Sequence, residues 1–264
     1  MPTTPAAFLI DDDRLATARA GSALTLAGDE GRHAAKVARI GVEEQILLTD
    51  AVGRQALAAV TAARKEQLDL ELVEAPTGPC ERIPRLALVQ ALATGGRDEQ
   101  AIESATELGA DRITPWIARR SVSVWRGEKL AKGRARWEAT VRAAVKQCRR
   151  RGIPTVDAPV DTKALTAAVR ARVEAGGIVL VLHEQESTHL MQLADELRAG
   201  AGDPPTVPKI TVIVGPEGGI DDAELTALRD AGARSVLLGP EVLRSSTAGP
   251  AAIAVLSALI GRWN

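Results

Sequence analysis

The residues best placed to do chemistry lie in two short glycine-containing loops near the C-terminus, Val214–Ile220 (VGPEGGI) and Leu238–Gly249 (LGPEVLRSSTAG). Each follows an apolar run that reads as a strand, Ile210–Val214 and Ser235–Leu238, and a third such run, Gly177–Leu182, leads into His183-Glu184-Gln185. In open α/β sheets ligands bind outside the carboxyl ends of the strands. Glycine there lets backbone approach a ligand and adopt positive φ, and the proline after Gly215 and Gly239 stiffens each loop. A dinucleotide site would need GxGxxG and a phosphate loop GxxxxGK[ST]. Neither motif is present, and Glu217 would repel a triphosphate. Rigid amides and carbonyls beside apolar side chains suit a nucleoside with a neutral or cationic tail, of which S-adenosylmethionine is one. Tight strand-to-helix turns with no ligand would produce the same loops.

A second feature points to a polyanionic partner. Thirteen Lys/Arg fall between Arg112 and Arg151, opposed only by Glu128 and Glu138, so this segment carries about +11 and the rest of the chain about −12. Such a one-signed field favours salt-dependent binding to nucleic acid; a solvated helix face is the plainer reading. Aromatic residues are 2% of the chain, with one Phe and no Tyr, which excludes a base-stacking sheet and leaves phosphate contacts and shape.

The elements that must position these residues change character along the chain. Residues 1–75 show short alternating patterns at Ala23–Leu26, Gln45–Thr49, Gln55–Ala63 and Leu68–Ala75, with a short helix at Gly31–Ile40 that carries His33, Lys36 and Arg39 on one side. The stretch APTGPCERIP then marks a boundary, giving domains 1–75 and 76–264. Beyond it, strands at Arg85–Ala91, Arg112–Ile117 and the three runs above alternate with helices at Arg97–Leu108, Lys129–Arg151, Thr162–Ala175, Asp221–Ala231 and Thr247–Trp263. Trp137, Val141 and Val145 form the apolar stripe of the long basic helix. Alternation of this kind predicts an α/β fold with a parallel sheet covered on both faces.

Composition narrows the class further. At 45% hydrophobic and 25% charged, 264 residues suit a globular protein with a sizeable core. No apolar run approaches the ~18–20 residues of a membrane span, and the N-terminus MPTTPAAFLIDDDR lacks a basic region ahead of its apolar patch. Cys80 and Cys148 form no CxxC pair, so two buried thiols in a reducing cytoplasm are expected, with no metal site.

Taken together, VGPEGGI followed by LGPEVLRSSTA resembles the signature of the SPOUT methyltransferases, and of the RsmE family that methylates uridine N3 in 16S (small-subunit) ribosomal RNA. The resemblance covers nearly the whole chain. GRHAAKVARIGVEEQILLTD is similar to that family's PUA-like RNA-binding domain, and ATELGADRITPWIARRSV and AAVKQCRRRGIP to its central motifs. It implies a deep C-terminal trefoil knot, S-adenosylmethionine as donor, and a homodimer acting on small-subunit RNA or an assembled 30S particle. The same chemistry on another RNA, or a noncatalytic RNA-binding or ribosome-assembly protein, are the competing readings.

By motif match the resemblance assigns the donor to Leu182, His183, Gly215, Glu217, Gly218, Gly219, Leu238, Gly239, Leu243, Arg244, Thr247 and Ala248, with Arg150 and Arg244 as catalytic candidates. RNA contacts fall to Arg32, Lys36, Arg39, Arg119, Arg120, Lys132, Arg149, Arg150 and Arg151. One position departs: where the family reads Leu-Arg-Thr-Glu-Thr-Ala, Ser246 replaces the glutamate. The imide N3 is protonated at neutral pH, so its proton must be removed, and the sequence names no base. Of the three histidines only His183 follows a strand of the loop region.

Overall fold

The computed structural model describes residues 5–11, 13–80, 82, 84–199 and 210–263. They divide into two compact units, Met1–Glu81 with Val145–Ile153, and Arg82–Ala144 with Pro154–Asn264. No single cut in the sequence produces this division, because the end of the long basic helix groups with the first unit. Residues 81 and 83 of the APTGPCERIP stretch, and 1–4 and 12 of the N-terminus, lie outside the described residues.

The first unit is a five-stranded sheet. Its elements are β1 (Ala6–Leu9), α1 (Arg14–Thr17), β2 (Ala23–Leu26), α2 (Gly28–Arg32) continued by a π-helical turn His33–Val37, β3 (Gln45–Thr49), β4 (Gln55–Arg64) and β5 (Gln67–Leu72). The order is β1-β3-β4-β5-β2, with β1 parallel to β3 and the other pairs antiparallel. Alternate residues Ile46, Leu48, Ala58, Val60, Leu68, Leu70 and Leu72 point inward with Phe8 and Leu15, each large side chain contributing about 1.5–3 kcal/mol by burial. A Cβ on Gly31 would lie 2.4 Å from the Leu26 carbonyl oxygen, so α2 sits this close to β2 only with glycine there. The expected strands are present, and the helix expected at Gly31–Ile40 runs instead over Gly28–Arg32 and His33–Val37, which leaves Arg39 outside it at φ 54. β1 is not foreseen by the sequence reading, because AAFLI is an apolar run without alternation.

The second unit contains β6 (Leu86–Ala91), α3 (Arg97–Leu108), β7 (Arg112–Ile117), α4 (Glu128–Cys148, whose end joins the first unit), β8 (Thr155–Val156), β9 (Val160–Asp161), α5 (Thr162–Glu174), β10 (Ile178–Leu182), a 3-10 turn Leu190–Leu193, α6 (Ala194–Ala199), β11 (Ile210–Val214), α7 (Asp222–Asp230), β12 (Arg234–Val236) and α8 (Ser245–Leu259). All pairings are parallel, in the order β12-β10-β11-β6-β7-β8 with β9 also beside β7. Every residue of β6 and β11 is buried, as a sheet covered on both faces requires. Val89, Ala91, Val179, Val181 and Ile213 on one face pack with Leu165 and Val169 of α5 and Leu225 and Leu228 of α7. The alternate residues of β6 meet α8, where a Cβ on Gly249 would lie 3.0 Å from Leu88 Cδ1.

Helix ends follow local chemistry. Gly109 closes α3 at φ +116, as its position in the sequence predicts. Asp161 caps α5 through a bond from the Ala164 amide (2.8 Å), and Asp221 caps α7 through the Ala223 amide (3.2 Å). Trp137, Val141 and Val145 are buried as expected. The two cysteines are free but half-buried rather than buried as expected; Cys148 sits in the last turn of α4, where its inward stripe ends. Among the described residues no helix is long and apolar enough to cross a membrane.

Candidate donor cavity

Three adjacent parallel strands, β12, β10 and β11, end side by side, and their following loops enclose a cavity of about 740 Å³. This is the size of small-molecule sites generally. The walls are Leu182–Gln185 after β10, Val214–Ile220 after β11, and Leu237–Gly239 and Glu241–Ser245 after β12, with Ala248, Arg97, Arg120 and Asp222 at the margins. Of the residues expected to bind the donor, Leu182, His183, Gly215, Glu217, Gly218, Gly219, Leu238, Gly239, Leu243, Arg244 and Ala248 all line it. Thr247 is exposed and is not among the lining residues; its amide bonds the Arg244 carbonyl (2.8 Å) in the first turn of α8.

Backbone bonds fix the walls. The His183 amide donates to the Val236 carbonyl (3.0 Å), and Leu237 exchanges bonds with Thr188 and Leu190 (both 2.8 Å), which extends the β12 edge beyond its three-residue strand. Gly219 turns at φ +74 and donates to the Pro216 carbonyl (2.9 Å). A Cβ on Gly215 would lie 2.6 Å from Ile220 Cγ1, whereas one on Gly239 would meet nothing within 4 Å. The first glycine is therefore required by packing and the second opens the wall.

Polar groups are unevenly committed. Glu217 Oε1 accepts from the Thr94 amide (2.9 Å), the Thr94 hydroxyl (3.1 Å) and Arg97 Nη1 (3.1 Å). Burial pushes this carboxyl up, but the Thr94 amide, its own amide, Arg97 and the Thr94 hydroxyl outweigh it and hold it below the usual carboxylate range. Arg120 donates to the Ile220 carbonyl (3.4 Å) and approaches Asp221 (3.6 Å). Burial raises the Asp221 carboxyl less than Arg119, the Ala223 amide and Arg120 lower it, so it too stays depressed. The Arg119 amide donates to Glu224 (2.9 Å) and its guanidinium to Asp221 (3.2 Å). Ser245 Oγ is buried with no hydrogen-bond partner among the described residues. Ser246 is buried and does not line the cavity, so the departure from the glutamate lies off the cavity wall.

None of the other expected RNA contacts is among the residues lining the cavity. Arg32 is paired with Asp29, Lys36 with Glu66 (2.6 Å) and Lys132 with Glu128 (2.9 Å). Arg39 and Arg149 adopt left-handed backbone, φ 54 and 55. Arg149, Arg150 and Arg151 group with the N-terminal unit. Arg150 is buried at 7% exposure, not surface charge. Arg151 donates to the Gly53 carbonyl (2.9 Å), Thr77 Oγ1 (3.0 Å) and the Gly78 carbonyl (2.5 Å). Arg97 is a cavity residue the sequence reading passed over. Its signal was the Thr94-Gly95-Gly96 turn at the end of β6, a fourth strand end of the same kind.

Comparison with known proteins agrees with this geometry. Residues 81–257 match the family model of the RNA methyltransferase domain, and residues 26–73 that of the RNA methyltransferase PUA domain. The chain is 44% identical over 244 residues to the ribosomal RNA small subunit methyltransferase E of Mycobacterium bovis, covering 92% of this chain and 89% of that protein. It is 26% identical over 236 residues to the protein of the same name from Bacillus subtilis, covering 88% and 89%. Among solved structures it is similar to a methyltransferase from Legionella pneumophila in complex with the bound cofactor SAM, at TM-score 0.80 and 27% identity over 97% of this chain and 98% of that one. The ribosomal RNA small subunit methyltransferase E from Neisseria gonorrhoeae, bound to S-adenosyl methionine, is similar at TM-score 0.80 and 25% identity over the same shares of the two chains. The chain belongs to the RNA methyltransferase family of the ribosomal RNA small subunit methyltransferase E proteins.

Proposed function

We propose that the protein methylates N3 of a uridine in small-subunit ribosomal RNA with S-adenosylmethionine held in the strand-end cavity. The observation that carries this reading is the convergence of three parallel strand ends on one cavity lined by both glycine loops. The cavity's residues fit the donor. Gly239 leaves room for an adenine or ribose edge, the buried Ser245 Oγ lacks a partner, and the acids Glu184, Glu241 and Asp222 on the lining suit a cationic sulfonium. The donor supplies an electrophilic methyl group; the chain orients it and presents the uracil. Holding N3 in line with the methyl supplies much of the rate.

Support for the finer points comes from the same features. The strand order β12-β10-β11-β6 and the likeness to the donor-bound structures favour the knotted SPOUT topology, with Leu238–Gly249 as its threaded wall. The family favours a homodimer in the cytoplasm, acting on naked RNA or on a 30S particle. Arg120 holds an RNA role at the cavity, and Arg119, Arg32, Lys36, Arg39, Lys132, Arg149, Arg150 and Arg151 hold the other RNA contacts, Arg151 and buried Arg150 by shaping the surface rather than by presenting free charge. Arg244, exposed at the N-terminus of α8, is the catalytic candidate within the cavity.

Titration calorimetry with S-adenosylmethionine tests the donor site. The wild type should bind, and Gly218→Arg should lose at least about tenfold in affinity, ~1.4 kcal/mol, because even a Cβ at this position lies 3.2 Å from the Arg120 backbone oxygen. Absence of binding by the wild type would favour a noncatalytic RNA-binding protein instead.

A further inference from the structure

The cavity contains a cation that neither glycine loop supplies. Arg97 opens α3 directly after the Thr94-Gly95-Gly96 turn, and both of its side-chain hydrogen bonds among the described residues leave from one nitrogen: Nη1 donates to Glu217 Oε1 (3.1 Å) and to Thr94 Oγ1 (3.4 Å). Glu217 is itself pinned by the Thr94 amide and hydroxyl. Arg97 therefore has one corner of its fork anchored while its side chain stays 43% exposed at the cavity margin. A guanidinium has five donors in a rigid plane and keeps its charge at any working pH. Arg120, by comparison, uses both terminal nitrogens on Ile220 and Asp221.

We propose that Arg97 stabilises the negative charge that develops on the target uracil as N3 loses its proton, and that Glu217 is the positioning residue that aims it. The inference rests on the uridine-N3 reading above. N3–H gives its proton to solvent, leaving an anion spread over N3 and the flanking carbonyl oxygens. The N3 electron pair then forms the N–CH3 bond as the S–CH3 bond breaks, its pair staying on sulfur. A fixed donor aimed at those oxygens favours the anion without reorganising, which is most effective where water is excluded. It also relieves the need for a strong base, which Ser246 does not supply where the family carries a glutamate.

The test compares two transcripts of small-subunit RNA, one with uridine and one with 5-fluorouridine throughout, whose N3–H is more acidic. Turnover at saturating donor, and donor affinity by calorimetry, are measured for the wild type, Arg97→Ala, Arg97→Lys and Glu217→Gln, each checked for a native melting transition. Arg97→Ala should lower kcat on uridine RNA by about 10²–10³-fold, leave donor affinity nearly unchanged, and lose much less on 5-fluorouridine RNA. Arg97→Lys keeps the charge without the fork and should fall between; Glu217→Gln should show the same substrate-dependent pattern at smaller size. Equal losses on both RNAs, or a loss of donor affinity, would overturn the role of Arg97. A wild type that binds donor but methylates neither RNA would instead overturn the uridine reading itself.

Discussion

At the scale of single residues, the site separates groups that face the cavity from groups that hold its walls. Glu217 reads from sequence as a donor contact, yet its carboxylate is spent on Thr94 and Arg97. Ser246 reads as the place where a base is missing, yet it is buried off the lining. We expect Ser246→Glu to leave kcat no higher and to destabilise the fold, because it buries an unpaired carboxylate; a gain approaching the 10²–10⁴-fold of a general base would contradict this. Gly215→Ala places a methyl 2.6 Å from Ile220 Cγ1 and should cost roughly 1–3 kcal/mol by overpacking, read as a lower thermal midpoint. The sequence shows which residue types gather in the loops, since glycine and proline there have few other uses. It does not show which side chains turn inward, because that depends on partners such as Thr94, 123 residues from Glu217.

At the scale of elements, helix propensity and packing oppose each other in α4. Gly133 sits inside this helix, where alanine would ordinarily add about 1 kcal/mol. A Cβ there would lie 2.5 Å from the Trp125 ring, which packs edge-on against Trp137 with centroids 5.5 Å apart. Gly133→Ala should therefore destabilise, and a raised melting temperature would refute this account of the glycine. Strand β7 is braced by Asp157, which accepts from Arg112 (2.7 and 2.8 Å) and Thr114 (2.6 Å). Burial raises the Asp157 carboxyl, but Arg112 and Thr114 outweigh it and hold it below the usual carboxylate range. A depressed carboxyl adds stability above its unfolded pKa and loses it as pH falls toward the folded value. Asp157→Asn should lower stability at neutral pH and flatten the decline in melting temperature below about pH 4; an unchanged acid profile would contradict it. Strands β6, β7, β10 and β11 are legible because buried parallel strands are continuous apolar runs. β8 and β9, two residues each, carry no pattern long enough to read, and β1 shows its place only through its parallel pairing with β3.

At the scale of the whole molecule, the sequence's charge asymmetry is partly quenched by folding. At least seven of the thirteen cations between Arg112 and Arg151 are ion-paired: Arg112, Arg119, Arg120, Lys132, Arg134, Arg136 and Lys146, several with acids distant in sequence such as Asp157, Asp221, Glu99 and Glu30. RNA binding should accordingly show a slope of log K against log salt of magnitude about 5 or less, well short of the ~12 expected if all thirteen neutralised phosphates. A slope near that upper figure would mean the ion pairs open on RNA. Purified protein, S-adenosylmethionine and small-subunit ribosomal RNA, incubated together and digested to nucleosides for mass spectrometry, should yield 3-methyluridine, and Gly218→Arg should yield none. A methylated nucleoside other than 3-methyluridine, or no transfer by a wild type that binds donor, would contradict the account.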